Sequence, residues 1–406
     1  VTVSLADIRE ADRRIEQAAG IRRTPIEYSE TLGERIGAEV ALKLEHFQKT
    51  GSFKPRGAYN KISQVADAGE AERVVAASAG NHAQGVAYAA TERGLESLIV
   101  MPETAPQAKI DATRGYGATV ELQGETFAEA MAVAQAKADE PGTAFVHAYD
   151  DPAVIAGQGT LGLEILEQVS DVDTVVAPIG GGGLISGISI AMTAAESDVR
   201  VVGVQAEKAA TIPQSLQKGY PVENETPDTI ADGIATGSVS QRTYDIIEQH
   251  VDEVVTVSET EIAEATLWLL ERTKQMVEGA AATSVAALHN DELNFEGTVV
   301  PVLCGGNIDI ATLQNVLTRA LVDRRQFVTI RVRIDDRPGV LGELAQLIGK
   351  HDTNIRNVRH DRSEQGLPVG KADIVIRATT PGEAAIERVI EEISEAGYLV
   401  RDVTPA

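Results

Sequence analysis

From Ala38 to about Pro301, short apolar runs alternate with longer stretches in which apolar residues recur at helical spacing. The runs at 39–44, 73–76, 97–100, 119–122, 143–147, 174–178, 200–204 and 298–303 read as strands, and most of the segments between them read as helices. That alternation predicts mostly parallel α/β sheets covered on both faces. Ahead of it, residues 4–18 are polar with spaced apolar positions, which predicts an amphipathic helix with Ser4 as its N-cap.

The pattern breaks after Leu317. Residues 318–326 are polar and basic, with Arg319, Arg324 and Arg325, and read as a linker. A fresh unit follows: strand 328–334, helix 340–351, strand 355–362, strand 370–378, helix 383–396 and strand 398–403. This βαββαβ order in about 80 residues is enough for a small independent domain. A chain of 406 residues is long enough for such a division.

Four segments carry candidate chemistry. The first runs from Lys43 through Gly51-Ser52-Phe53-Lys54-Pro55-Arg56-Gly57. A lone lysine is ordinarily a solvated charge. Lys54 differs because it follows a strand among small and apolar residues, and a lysine in a dry pocket loses its proton readily and condenses with an aldehyde. The second is the strand end Val175-Val176-Ala177-Pro178 running into Gly180-Gly181-Gly182-Gly183-Leu184. Bare amides at a helix start suit a phosphate, and four consecutive glycines exceed what a tight turn needs. No Gly-Lys-Ser/Thr follows, which excludes a nucleoside-triphosphate loop.

The third segment is Ser78-Ala79-Gly80-Asn81-His82, small residues at a helix start that offer backbone donors to a carboxylate, with Asn81 able to bond a cofactor hydroxyl. His82 is not read as a metal ligand, because the seven histidines never pair at ligand spacing. The fourth is Cys304-Gly305-Gly306-Asn307 at a strand end, where a free cysteine is most simply a small buried hydrophobe. Gly157, Gly159 and Gly162 imitate a dinucleotide fingerprint. The segment before them is polar and helical rather than a strand, which argues against that reading.

In this order, with Ile230-Ala231-Asp232-Gly233 and Val277-Glu278-Gly279-Ala280 between, the motifs resemble the fold-type II pyridoxal-phosphate enzymes, and within them the threonine dehydratase (threonine ammonia-lyase) group, over about residues 5–317. The resemblance implies a two-domain, tryptophan synthase β-like catalytic core in residues 1–317, with a smaller subdomain of about 48–150 inserted in the larger. It implies that Lys54 holds pyridoxal 5'-phosphate covalently and that Phe53 packs against the ring. Gly180, Gly181, Gly182, Gly183 and Leu184 would hold the phosphate, Asn81 the ring hydroxyl, and Cys304 would face the pyridine nitrogen. Ser78, Ala79, Gly80, Asn81 and His82 would receive the substrate carboxylate.

The implied reaction is dehydration and deamination of L-threonine, with L-serine as a second substrate. Three other readings stay open: a broad catabolic serine/threonine dehydratase, a pyridoxal-phosphate β-replacement or γ-elimination enzyme such as a cysteine or threonine synthase, which Ser78-Ala79-Gly80-Asn81-His82 fits less well, and a non-catalytic amino-acid sensor on this scaffold. Serine racemases resemble this chain but carry a serine where Ala79 stands, and carboxylates where Gln205 and Thr211 stand. Negligible racemisation and no required divalent metal are therefore expected. The C-terminal unit, 327–406, resembles an ACT domain through Asp335-Asp336-Arg337-Pro338-Gly339-Val340-Leu341. The amides of Gly339, Val340 and Leu341 would bind an amino-acid effector such as isoleucine or valine, in a biosynthetic homotetramer.

Charge sharpens the class. The net value is −25, and 25 arginines accompany only 11 lysines. Such a surface repels nucleic acid and anionic membranes. No apolar run reaches membrane-spanning length and the first residues form no signal segment, so a cytoplasmic enzyme is expected. One cysteine excludes an intramolecular disulfide and a four-cysteine zinc site. The acidity also suits a salty medium, where screening relieves self-repulsion. The denaturant midpoint should rise from low salt to molar potassium chloride; a flat or falling curve would contradict the salt-adaptation reading.

Overall fold

Capping sets where the first helix begins. Ser4 Oγ accepts from the Asp7 N–H at 3.4 Å while the Asp7 carboxylate accepts from the Ser4 N–H at 2.8 Å, opening the helix Leu5–Ile15. Its apolar stripe, Ile8, Ala11 and Ile15, is buried. The structure is a computed structural model that describes residues 3–194, 198–224, 227–290, 292–362 and 367–404.

The chain divides into two compact units, Val1–Asp309 and Ile310–Ala406. The first holds ten strands: β1 Ile26–Tyr28, β2 Glu39–Lys43, β3 Arg73–Ala77, β4 Glu96–Met101, β5 Thr119–Leu122, β6 Thr143–Phe145, β7 Val172–Pro178, β8 Arg200–Ala206, β9 Glu253–Val257 and β10 Thr298–Pro301. They form a six-stranded sheet, β1-β2-β10-β7-β8-β9, and a four-stranded sheet, β5-β4-β3-β6. Every pairing is parallel except β1 with β2. Central strands such as β7 and β8 are buried on consecutive residues, as parallel strands covered by helices must be. Two strands that the sequence pattern did not mark, β1 and β9, lie at the edges of the larger sheet and are only partly buried.

The two sheets are tied together around the helix Lys54–Ala68, which packs against the helices Asn81–Arg93 and Pro152–Gln168. Arg56 on its first turn is fully buried. Its guanidinium grips Glu45 through two hydrogen bonds of 2.8 and 2.9 Å, and donates to Glu164 at 2.7 Å and to Thr160 Oγ1 at 3.2 Å. Lys43, also fully buried, donates to the other Glu164 oxygen at 2.8 Å, to Gln168 at 2.6 Å and to the Thr24 carbonyl at 2.9 Å. Burial opposes the Arg56 charge, but Glu45 and Glu164 outweigh it and push its pKa up.

The glycines that imitate a dinucleotide fingerprint lie inside the helix Pro152–Gln168. A Cβ on Gly157 would come within 2.6 Å of the Gly57 Cα, and one on Gly159 within 2.9 Å of the Gly187 carbonyl oxygen. The spacing therefore serves close helix packing on two sides, against Lys54–Ala68 and Gly183–Ala194.

The second unit begins with a helix, Ile310–Asp323, which takes in the first part of the expected linker. Val316 and Ala320, four apart, are buried and continue the helical face past Arg319. An antiparallel sheet follows, ordered β12-β13-β11-β14 from β11 Phe327–Asp335, β12 Asn354–Asp361, β13 Lys371–Thr379 and β14 Leu399–Asp402. With the helices Val340–Gly349 and Glu383–Glu395 it makes the expected βαββαβ order, and alternate residues of β11 (Val328, Ile330, Val332, Ile334) line its core.

Removing the Arg56 guanidinium would leave Glu45 and part of Glu164 buried without their cation. Arg56→Met should destabilise the first unit by about 3–5 kcal/mol. A lowered denaturant midpoint checks this; an unchanged one would mean the charges are dispensable.

Candidate active site

Lys54 is held at the base of its helix by the chain on both sides. Ahead of it, Ser52 bridges Gly305, and the Phe53 N–H donates to the Cys304 carbonyl at 3.1 Å. Behind it, the helix Asn81–Arg93 presses close at Gly85, where a Cβ would lie 3.3 Å from the Lys54 Cβ. The amine donates to the Ala148 carbonyl at 3.3 Å and sits 5.0 Å from the Phe53 ring centre. Burial pushes its pKa down from 10.5 to about 8, with the Glu278 charge opposing the fall only in part. An amine with this pKa is still mostly protonated at neutral pH, but its neutral, nucleophilic fraction is far larger than an ordinary lysine's.

The residue after Ala148 carries the site to the glycine loop. The Tyr149 ring lies over Gly181 so closely that a Cβ there would come within 2.2 Å of it, and Gly183 meets the Tyr149 Cβ in the same way at 2.9 Å. Gly182 takes a φ of 88°, which a side chain would resist. Thr243 Oγ1 donates to the Gly181 carbonyl at 2.9 Å, bracing the loop from the far side. Gly183 and Leu184 then open the helix Gly183–Ala194, with Gly180 half-buried and Leu184 buried. The loop is thus a bare main-chain turn feeding a helix start, joined to the Lys54 amine through Ala148 and Tyr149.

Ser78, Ala79 and Gly80 form the half-buried turn between β3 and the helix Asn81–Arg93. The Ser78 hydroxyl accepts from the Gly80 N–H at 3.1 Å, and the helix has no side-chain cap. His82 is buried, its Nε2 bonded to the Val146 carbonyl at 2.9 Å; burial and the Lys54 charge push its pKa down to about 3. It is a neutral structural donor. Asn81 is drawn to the other side of the site: its Nδ2 donates to both Glu278 oxygens, and its Oδ1 accepts from Asn307 Nδ2 at 2.7 Å. Cys304 is buried, and burial raises its thiol pKa well above the usual value, so it is a protonated thiol.

Sequence reading assigned no role to Tyr149, Thr243, Glu278 or Asn307. The signal for Glu278 was present: a single carboxylate in the run Val277-Glu278-Gly279-Ala280-Ala281-Ala282 is out of place unless partnered. Gln205 is buried and commits its amide oxygen to the Thr211 and Ile212 N–H groups at 3.0 and 2.8 Å. In the second unit Gly339 has a φ of 96° at the start of the helix Val340–Gly349; the Val340 side chain is buried and Leu341 is exposed.

A family model described as "Pyridoxal-phosphate dependent enzyme" matches residues 18–305, and one described as "ACT domain" matches residues 328–397. The L-threonine ammonia-lyase of Thermotoga maritima is 44% identical over 402 residues, spanning 99% of this chain and 100% of the relative. Among solved structures, a threonine deaminase from T.th. is 42% identical with a TM-score of 0.71, over 76% of this chain and 99% of that one. Maize serine racemase is 32% identical with a TM-score of 0.74, over 80% of this chain and 100% of that one. The chain belongs to the pyridoxal-phosphate dependent enzymes, in the family of the L-threonine ammonia-lyases, with an ACT domain after the catalytic region.

The residues present fit that cofactor: an amine pressed toward neutrality, a glycine cradle with no space for a Cβ at Gly181, and a protonated thiol. In cofactor-free protein, acylation of Lys54 followed by peptide mass spectrometry should be half-maximal near pH 8. A midpoint near the ordinary 10.5 would remove the desolvation argument.

Proposed function

We propose that this protein catalyses the dehydration and deamination of L-threonine to 2-oxobutanoate and ammonia, under control of an amino acid bound at its ACT domain. The observation that carries the reading is the Lys54 amine, lowered to about pKa 8 and joined through Ala148 and Tyr149 to the tetraglycine turn. The named function of the full-length relative supports the choice of threonine.

Pyridoxal phosphate, when bound, supplies the electron sink that lets a Cα–H bond beside the substrate amine break. The chain supplies the rest. Lys54 anchors the cofactor and, once its amine is free, takes the Cα proton; an amine with a pKa near 8 accepts a proton at neutral pH without holding it permanently. Gly180, Gly181, Gly182, Gly183 and Leu184 present main-chain donors to the cofactor phosphate. Ser78, Ala79, Gly80, Asn81 and His82 form the uncapped helix start that receives the substrate carboxylate. Phe53 and Cys304 flank the Lys54 amine, and a neutral thiol is a weak donor that does not impose a positive charge on a ring nitrogen.

Proton delivery is one-sided in this reading. Ala79 has no hydroxyl to protonate the opposite face, so elimination is favoured over racemisation. The effector site is assigned to the amides of Gly339, Val340 and Leu341, with isoleucine or valine as the ligand class, in a homotetramer. Regulation of this kind requires that the effector bind two states unequally.

Purified enzyme should absorb in the visible with bound cofactor and release 2-oxobutanoate from L-threonine. Lys54→Ala should lose the lysine-linked band and at least ~100-fold of the rate, the lower range for a positioned acid–base group. L-serine turnover equal to that of L-threonine would favour the broad catabolic reading. A visible band without turnover would favour the sensor.

A further inference from the structure

Glu278 is a carboxylate that the reaction above does not use. It stands at the N-cap position of the helix Gly279–Ala286 without a side-chain capping bond, and its own N–H donates to the Gly305 carbonyl at 3.1 Å, which stitches it to the Cys304–Asn307 loop. Its oxygens do not face a cation at ion-pair distance among the described residues. They share one hydrogen of Asn81 Nδ2, at 2.8 and 3.1 Å, because the two hydrogens of an amide diverge too widely to meet one carboxylate, and the other N–H stays available. A carboxylate placed so close to the Lys54 site and bonded to one amide calls for a reason.

The hydrogen-bond logic of Asn81 provides it. Asn307 Nδ2 donates both to the Thr50 carbonyl at 2.6 Å and to Asn81 Oδ1 at 2.7 Å. If the Asn81 amide turned over, its oxygen would confront the Glu278 carboxylate and its NH2 would confront the NH2 of Asn307. Burial raises the Glu278 pKa, and the Asn81 hydrogen bond and the Lys109 and Lys54 charges oppose that rise. With Glu278 ionised both contacts would be repulsive, so only one orientation satisfies the two neighbours. Gly305 makes the arrangement possible. A Cβ there would lie 2.3 Å from Glu278 Oε1 and 3.3 Å from Asn81 Nδ2. The first glycine of Cys304-Gly305-Gly306-Asn307 is the space the carboxylate occupies.

We propose that Glu278 is a positioning residue that fixes the orientation of the Asn81 amide, so that Asn81 presents an N–H, rather than its carbonyl oxygen, to an oxygen of the bound cofactor. The inference rests on the pyridoxal-phosphate reading of the site and deepens it. Glu278 touches neither substrate nor cofactor in this role; it acts through Asn81. Asn307 holds the opposite end of the same amide, so the orientation is set from both sides and Asn81 arrives at the cofactor already aligned.

The test uses the full-length holoenzyme and its resolved apoenzyme. Pyridoxal phosphate is titrated back while the visible band is followed, for wild type, Glu278→Leu, Glu278→Gln and Gly305→Ala. Loss of a charge-assisted hydrogen bond should weaken cofactor affinity roughly tenfold or more in Glu278→Leu and shift the band. Gly305→Ala, which keeps the charge but displaces the carboxylate, should do the same. Glu278→Gln still offers an acceptor oxygen and should restore most of the affinity and the wild-type band.

The proposal is overturned if Glu278→Leu binds and absorbs like wild type, or if Glu278→Gln loses as much as Glu278→Leu. Thermal unfolding of each apoenzyme separates loss of fold from loss of alignment, and if Glu278→Leu fails to fold, Gly305→Ala decides. A wild-type protein without a cofactor band defeats the functional reading itself. A wild type with a normal band beside indifferent variants defeats only the role of Glu278.

Discussion

Two cations and two carboxylates share one enclosed compartment at the base of the helix that begins with Lys54. Glu45 follows β2, Glu164 sits on the helix Pro152–Gln168, and Arg56 joins them from two residues beyond Lys54. Such a cluster is a costly way to gain stability, since each charge gives up its hydration. Its value is directional. A bidentate guanidinium tolerates little rotation, so the first turn of the helix is fixed relative to both carboxylates. The position of Lys54 follows from that constraint.

The two buried lysines show how environment separates roles. Lys43 has three acceptors, one of them a carboxylate, and sits inside the ion cluster as a structural cation. Lys54 has one hydrogen bond among the described residues, to a carbonyl, and its neighbours are a ring and a protonated thiol. Burial lowers both pKa values. Only the second lysine lacks a close counter-charge, and it is the one left free to bind covalently or accept a proton. Burial works against both ammonium groups, but Lys43 has a carboxylate partner that opposes it and Lys54, eleven residues on, has none at ion-pair distance among the described residues.

Much of this was legible from the chain alone. All eight strands expected in the first unit occur, because central parallel strands are written as unbroken apolar runs. The edge strands β1 and β9 escaped notice because β1 is only three residues with a charge at its centre and the short apolar run of β9 is interrupted by Thr256. The helix Ile310–Asp323 was hidden because Arg319 and the two arginines just past its end read as a break, where Arg319 marks only an exposed face. Lys54 and the tetraglycine turn were readable as motifs. Their connection was not: Tyr149 meets Gly181 across a sequence gap that no local pattern spans. The Asn81–Glu278–Asn307 chain of amide and carboxylate likewise brings together three distant segments, and only the tertiary fold reveals it.

Cys304 has a consequence beyond its place beside Lys54. It carries the sole sulfhydryl in 406 residues, and it is nearly inaccessible to solvent. Any thiol-directed label therefore reacts at a single address, with no background from elsewhere on the chain. The pace of that labelling becomes a clock for how often the interior of the site opens to solvent.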